Sequence, residues 1–192
     1  MRCSLVIAVA VCLALSGCGK TVEKQVAVEE TPAAQWERVL PGLMTETQKA
    51  QQELVLTATN ALASELMGEL TAALDQGGPA AGITVCREKA PQVAANVAET
   101  YGLRIGRTSH RLRNTANSGP SWSDPYVEGL ENDPTWVAGP EGELGALLPI
   151  RLRAECQMCH GPAEMIADEV MTAIRANYPA DQAVGFTEGE LR

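Results

Sequence analysis

Cys156, Cys159 and His160 stand in the order Cys-x-x-Cys-His, with Gln157 and Met158 between the two thiols. Thiols at this spacing can reach the two vinyl groups of a haem and bond to them, while the adjacent histidine is held under the iron as an axial ligand. Two other chemistries use the same residues. A redox disulfide across Cys156 and Cys159 calls for a thioredoxin-like βαβ unit with the motif opening a helix. Here Gly161-Pro162 follows the motif and no such unit precedes it. A structural zinc could take Cys156, Cys159 and His160 with Cys86 or His110 as fourth ligand, but adjacent Cys159 and His160 rarely chelate one tetrahedral metal. The spacing therefore predicts one covalent haem c.

Haem attachment of this kind belongs to exported proteins, and the N-terminus is consistent with export. Arg2 precedes the apolar run Leu5 to Leu15, which is too short to cross a bilayer as a mature helix. The run ends in Leu15-Ser16-Gly17-Cys18, which resembles the lipobox of bacterial lipoproteins. The expectation is a signal peptide over 1–17, an acylated Cys18 holding the chain to a bilayer, and a domain facing the periplasm or extracytoplasmic space. A plain secretory signal with an incidental cysteine is the alternative. Residues 18–35 read as a tether and 36–192 as one domain. The chain carries 24 acidic against 15 basic side chains, net −9, and losing Arg2 makes it one unit more negative. That balance disfavours nucleic acid and anionic lipid surfaces as partners and suits a basic one.

Of the six cysteines, Cys3 and Cys12 leave with the signal, Cys18 is lipidated, and Cys156 and Cys159 form thioethers. Cys86 has no partner. Ligation of the iron by its thiolate would neutralise positive charge and protect the sulfur from oxidation, whereas an inert buried cysteine is the plainer reading. His110 and the methionines compete for the second axial position. Met158 is badly aimed inside the attachment loop, Met165 and Met171 read as helix core, and Met44 and Met67 as helix packing. His110 sits among Arg104, Arg107, Arg111 and Arg113, of which Arg107 and Arg113 are candidates for contacts with haem propionates.

These residues need a scaffold. A capping box at Thr45 to Gln48 opens a long helix carrying Ala58, Leu62, Leu66, Leu70 and Leu74, which Gly77-Gly78 stops. A second helix starts at Pro79, presents Ile83, Cys86, Ala90, Val93 and Val97, and is kinked or divided by Pro91. Leu103 to Ser109 is strand-like, and a short helix is expected near Asp124 to Leu130. Strands at Thr135 to Ala138 and Leu144 to Leu152 flank the turn Gly139-Pro140-Glu141-Gly142 and deliver the chain to Cys156. Ala163 to Asn177 has helical periodicity, and Tyr178 to Arg192 is loop-like.

With these residues in view, the chain resembles a family of c-type haem proteins, long catalogued as a domain of unknown function, over about Thr45 to Arg192. The resemblance rests on Val85-Cys86, Ala90-Pro91, Gly106-Arg107-Thr108-Ser109, Arg113-Asn114 with Asn117, Trp122, Cys156 to Gly161, and Tyr178-Pro179 with Gly185. It implies an α+β, PAS-like fold: an antiparallel sheet with a long N-terminal helix and flanking helices. It also implies His160 and Cys86 as axial ligands and a low reduction potential. Thr115 departs from the proline that usually follows Arg-Asn, and the shorter end implies a missing last edge strand. Two roles remain open: electron transfer or redox buffering with a protein partner, or sensing, in which Cys86 leaves the iron and a small gas binds. The sequence offers no second metal motif for catalysis.

Overall fold

The computed structural model describes residues 35–192; the expected signal peptide, Cys18 and most of the tether lie outside them. Seven elements follow in order: β1 (Glu37–Arg38), α1 (Glu46–Tyr101), α2 (Asp124–Glu128), β2 (Thr135–Ala138), β3 (Leu144–Leu147), α3 (Gln157–His160) and α4 (Asp168–Asn177). The class is α+β, as the resemblance implied.

α1 begins where the capping box places it. Gln48 N donates to the Thr45 hydroxyl at 3.2 Å and Thr45 N donates to Gln48 Oε1 at 3.0 Å, so two otherwise orphaned donors of the first turn are satisfied. Gly78, at φ 69° and ψ −172°, is the one residue of α1 with a non-helical backbone, and it folds the element into two arms. The arms pack through Ala58 and Leu62 of the first against Val93 and Val97 of the second. Contrary to expectation, Pro91 does not divide the second arm; helical angles persist through it, with Ala90 and Val93 buried on either side.

The second arm also buries Ile83 against Ile166, Val170 and Ile174 of the C-terminal region, with Tyr178 closing the cluster. This region is not one helix from Ala163. A 3-10 turn over Ala163–Met165 is followed by extended Ile166 and Ala167 before α4 starts. The break rotates Ile166 inward, 5% exposed, and leaves Met165 outside at 66%, so Met165 is not a core residue. Met67, at 39%, is likewise not packed away, whereas Met44 is.

The sheet is antiparallel, in the order β1-β2-β3. Trp136 faces Ala146 and Val137 faces Gly145 across β2 and β3, and the predicted Gly139 to Gly142 turn joins them. β1 was not anticipated; Trp36 beside it stacks on Trp122 at 5.3 Å between ring centroids. β3 ends at Leu147 rather than Leu152 because Pro149 cannot donate to a ladder. Residues 150–152 pair instead with the tail: Leu152 N donates to Glu190 O, Gly189 N to Leu152 O and Arg192 N to Ile150 O. Leu103 to Ser109 forms no strand. Its alternation is real, with Leu103 and Ile105 packing against the helical hairpin, but it meets side chains instead of a neighbouring ladder. Among the described residues no helix is long and apolar enough to cross a membrane.

Gly78 occupies a backbone region open only to glycine. Gly78→Ala should therefore destabilise the full chain by about 1–3 kcal/mol, read as a lowered urea midpoint. An unchanged midpoint would show that the hairpin does not depend on this turn.

Candidate functional site

The segment after β3 brings the Cys-x-x-Cys-His residues onto two short turns, a 3-10 turn over Ala154–Cys156 and α3. Their thiols are free, as is that of Cys86. Cys156 packs against Leu152, Ala183 and Phe186, and Cys159 against the cluster containing Ile83. One turn of helix beyond Ile83 stands Cys86.

His160 is fixed by the tail. Its Nδ1 lies 2.8 Å from Ala183 O, an acceptor that can only receive a proton, so Nδ1 donates and the Nε2 lone pair is left available. Burial lowers its pKa to about 2, with the charges of Arg192, Arg113 and Arg107 acting in the same direction. The imidazole is therefore neutral, the form that ligates a metal. The Ala183 carbonyl was invisible to sequence reasoning, because any residue supplies a carbonyl.

Ala183 is itself held by Arg113, which is 8% exposed. Arg113 Nε donates to Asp181 Oδ1 at 2.9 Å, and its Nη2 donates to Cys159 O at 2.6 Å and Ala183 O at 3.1 Å. Asp181 Oδ1 also accepts from Ala183 N at 3.0 Å. Arg113 thus ties motif to tail through Nε and Nη2. The propionate contact expected of it would be left to Nη1 alone, and its observed task is positioning.

A cavity of about 60 Å³ lies between α1 and the irregular segment after it. Cys86, Ala90, Pro91 and Ala94 form one wall, and Gly106, Arg107, Asn114 and Asn117 the other. Residues quoted separately for the family resemblance, Cys86, Ala90-Pro91, Gly106-Arg107, Asn114 and Asn117, thus meet around one space. Ile83, one turn before Cys86 on the same arm, shares its cluster with Cys159, which ties this wall to the motif. Burial pushes the Cys159 thiol up, with Arg113 opposing and Cys86 and Cys156 adding.

His110 stands apart, edge-on to Phe186 at 5.7 Å between centroids, its pKa lowered by burial and then by Arg111. It does not line the cavity. Met158 is 37% exposed, and Met171 packs against the α4 cluster. No three His, Cys, Asp or Glu side chains among the described residues converge as a metal-ion site. The donor set does fit a haem: two free thiols, a neutral imidazole with Nε2 unspent, and a third free thiol on α1.

A two-arm helical hairpin packed against α4 and against a small antiparallel sheet, with a tail-anchored Cys-x-x-Cys-His motif, defines the class. The model of the Tll0287-like family matches residues 24–192, and the chain belongs to that family. In fold it is similar to the crystal structure of the cyanobacterial heme-protein Tll0287, at 21% identity and a TM-score of 0.56, over 78% of this chain and 92% of that one. No curated protein matches.

Arg113→Met should cost about 3–5 kcal/mol in urea unfolding, because it leaves the Asp181 carboxylate buried without its partner. Arg107→Met should cost under about 1 kcal/mol. Equal costs would refute the positioning role.

Proposed function

We propose that the chain is an exported, membrane-anchored protein carrying one c-type haem, of the electron-transfer or redox-buffering kind. Cys156 and Cys159 would hold the haem covalently, and His160 and Cys86 would ligate its iron. The single observation that carries this reading is the His160 clasp: Nδ1 bound to Ala183 O at 2.8 Å, one residue from the free Cys159 thiol and about one helical turn from that of Cys156. That the related Tll0287 is a heme-protein supports it.

When bound, the haem supplies one-electron chemistry between ferric and ferrous iron. The chain's residues do the rest. Arg113 and Asp181 hold the Cys159 and Ala183 carbonyls in place, and Ala183 orients the imidazole. Ile83 and Ile166 exclude water beside Cys159. Cys86 would supply a negative charge to the iron, which favours the oxidised state and a low potential. With a net charge of −9, the molecule would meet a basic redox partner. Acylation at Cys18 would confine that encounter to a bilayer surface.

The cavity beside Cys86 favours a second reading. Its volume of about 60 Å³ is several times the roughly 10–15 Å³ that a cavity needs to admit one water. Movement of Cys86 off the iron would therefore leave room for a diatomic gas, as a sensing module requires.

Co-expression with haem-maturation machinery should yield a chain that keeps its haem after denaturation, and Cys86→Ala should alter the oxidised spectrum. Haem lost on denaturation would remove covalent attachment, and an identical variant spectrum would remove Cys86 as ligand. Carbon monoxide uptake by the reduced native protein would decide for the sensing reading; none would decide for electron transfer. Separately, Cys18→Ser should move the protein from the membrane to the soluble fraction, and retention there would refute the lipid anchor.

A further inference from the structure

Two cations at the site have no counter-charge. Arg113 is neutralised by Asp181 at 2.9 Å and Arg111 pairs with Glu190 at 3.0 Å, but neither Arg107 nor Arg192 forms an ion pair among the described residues. Arg107 lines the cavity opposite Cys86. Arg192 Nε is buried with no hydrogen-bond partner, a state that costs free energy until an acceptor satisfies it. The backbone of Arg192 is nevertheless fixed, since Arg192 N donates to Ile150 O at 2.9 Å and Leu191 bridges to Arg151. Its guanidinium is thereby delivered to the motif, where its charge is felt at His160 and Cys159. Arg107 and Arg192 also repel each other, and burial together with that repulsion pulls Arg192 down to about 10. Two guanidinium groups, one lining the cavity and the other buried with an unpaired Nε, neither held by an acidic side chain, suit a dianionic occupant.

We propose that Arg107 and Arg192 form a two-cation clamp for the two propionates of the haem, one guanidinium to each carboxylate. Arg192 takes the part that sequence reasoning gave to Arg113. The clamp rests on the haem reading above, and it deepens that reading by naming what fixes the anionic edge of the cofactor. It also ties haem retention geometry to the pairing of 150–152 with 189–192, because that pairing is what holds Arg192 over the site. Arginine suits the role, since its planar fork can meet a carboxylate through two donors at once.

The test is a spectroelectrochemical titration of the haem-loaded full chain, its covalent haem first verified on a denatured sample. A guanidinium beside a propionate cancels a negative charge near the iron; without it, the remaining carboxylate favours ferric iron. Arg192→Gln should shift the ferric/ferrous equilibrium about tenfold toward ferric, which is 59 mV for one electron, while the oxidised spectrum keeps its native ligation. Arg192→Lys should recover at least half of that shift, and the exposed Arg104→Gln should show none. A potential for Arg192→Gln equal to that of Arg104→Gln, or a shift accompanied by a changed ligation spectrum and not recovered by lysine, overturns the clamp. If Arg192→Gln does not accumulate, Arg107→Gln carries the same expectation, and an unshifted potential there overturns it. Absence of covalent haem in the native chain is a different result, which sinks the haem reading itself.

Discussion

The site depends on one buried guanidinium. A charge as enclosed as that of Arg113 persists only where its donors meet acceptors, because unsatisfied burial would cost several kcal/mol. Its acceptors come from Cys159, Asp181 and Ala183, which belong to two segments distant from it in sequence. Satisfying the arginine therefore determines where the attachment turn and the tail must lie relative to each other. The tail then adds its own ties, with Phe186 N donating to His160 O and Gly185 N to Gly161 O. An irregular stretch with no helix or strand becomes as fixed as the core: Ala183 and Phe186 are fully buried. His160 inherits its tautomer from that chain of contacts.

On α1, position follows from the period of a helix. Along the second arm of α1, Gly82, Ala90, Val93 and Val97 are buried, and Gly82 approaches Leu70 and Leu74 of the first arm. Ile83 turns toward α4. Cys86 is three residues beyond Ile83 and four from Gly82 and Ala90, so it falls on the border between the two seams. A residue on such a border is partly covered without being packed away on all sides, which leaves a thiol free to face a cavity. The glycine turn at Gly78 matters to the site for this reason: it lets the first arm cover one seam while α4 covers the other.

Legibility in the sequence divided along physical lines. The capping box at Thr45, the Gly77-Gly78 stop and the hairpin after Ala138 were readable because local side-chain chemistry decides them. Leu103 to Ser109 was misread because alternation reports two-sidedness, and whether a ladder or a helix surface supplies the second side is a tertiary matter. The break before Asp168 and the persistence of helix through Pro91 were both settled by burial of particular side chains, Ile166 in one case and Ala90 with Val93 in the other. The Cys-x-x-Cys-His spacing could be read directly from the sequence. What orients these side chains could not, since the Ala183 carbonyl, the Asp181 bridge and the placement of Arg192 have no compositional signature. Arg107 and Arg113 looked equivalent in a run of arginines; one lines a cavity and the other carries the fold.

Burial and positive charge act unequally on the imidazole and the thiol of the motif. For an imidazole, desolvation and neighbouring guanidinium groups both penalise the protonated form, and at His160 burial, Arg192, Arg113 and Arg107 indeed all push downward. For a thiol the two effects oppose each other: at Cys159 burial raises the pKa while Arg113 and Arg192 lower it. An apolar pocket alone would yield a good histidine ligand and a poor thiolate. Clustering arginines in an otherwise acidic chain offsets part of the second cost without disturbing the first. The basic residues around this site, set in a molecule of net charge −9, thus keep the buried imidazole of His160 neutral while opposing the rise that burial imposes on the Cys159 thiol.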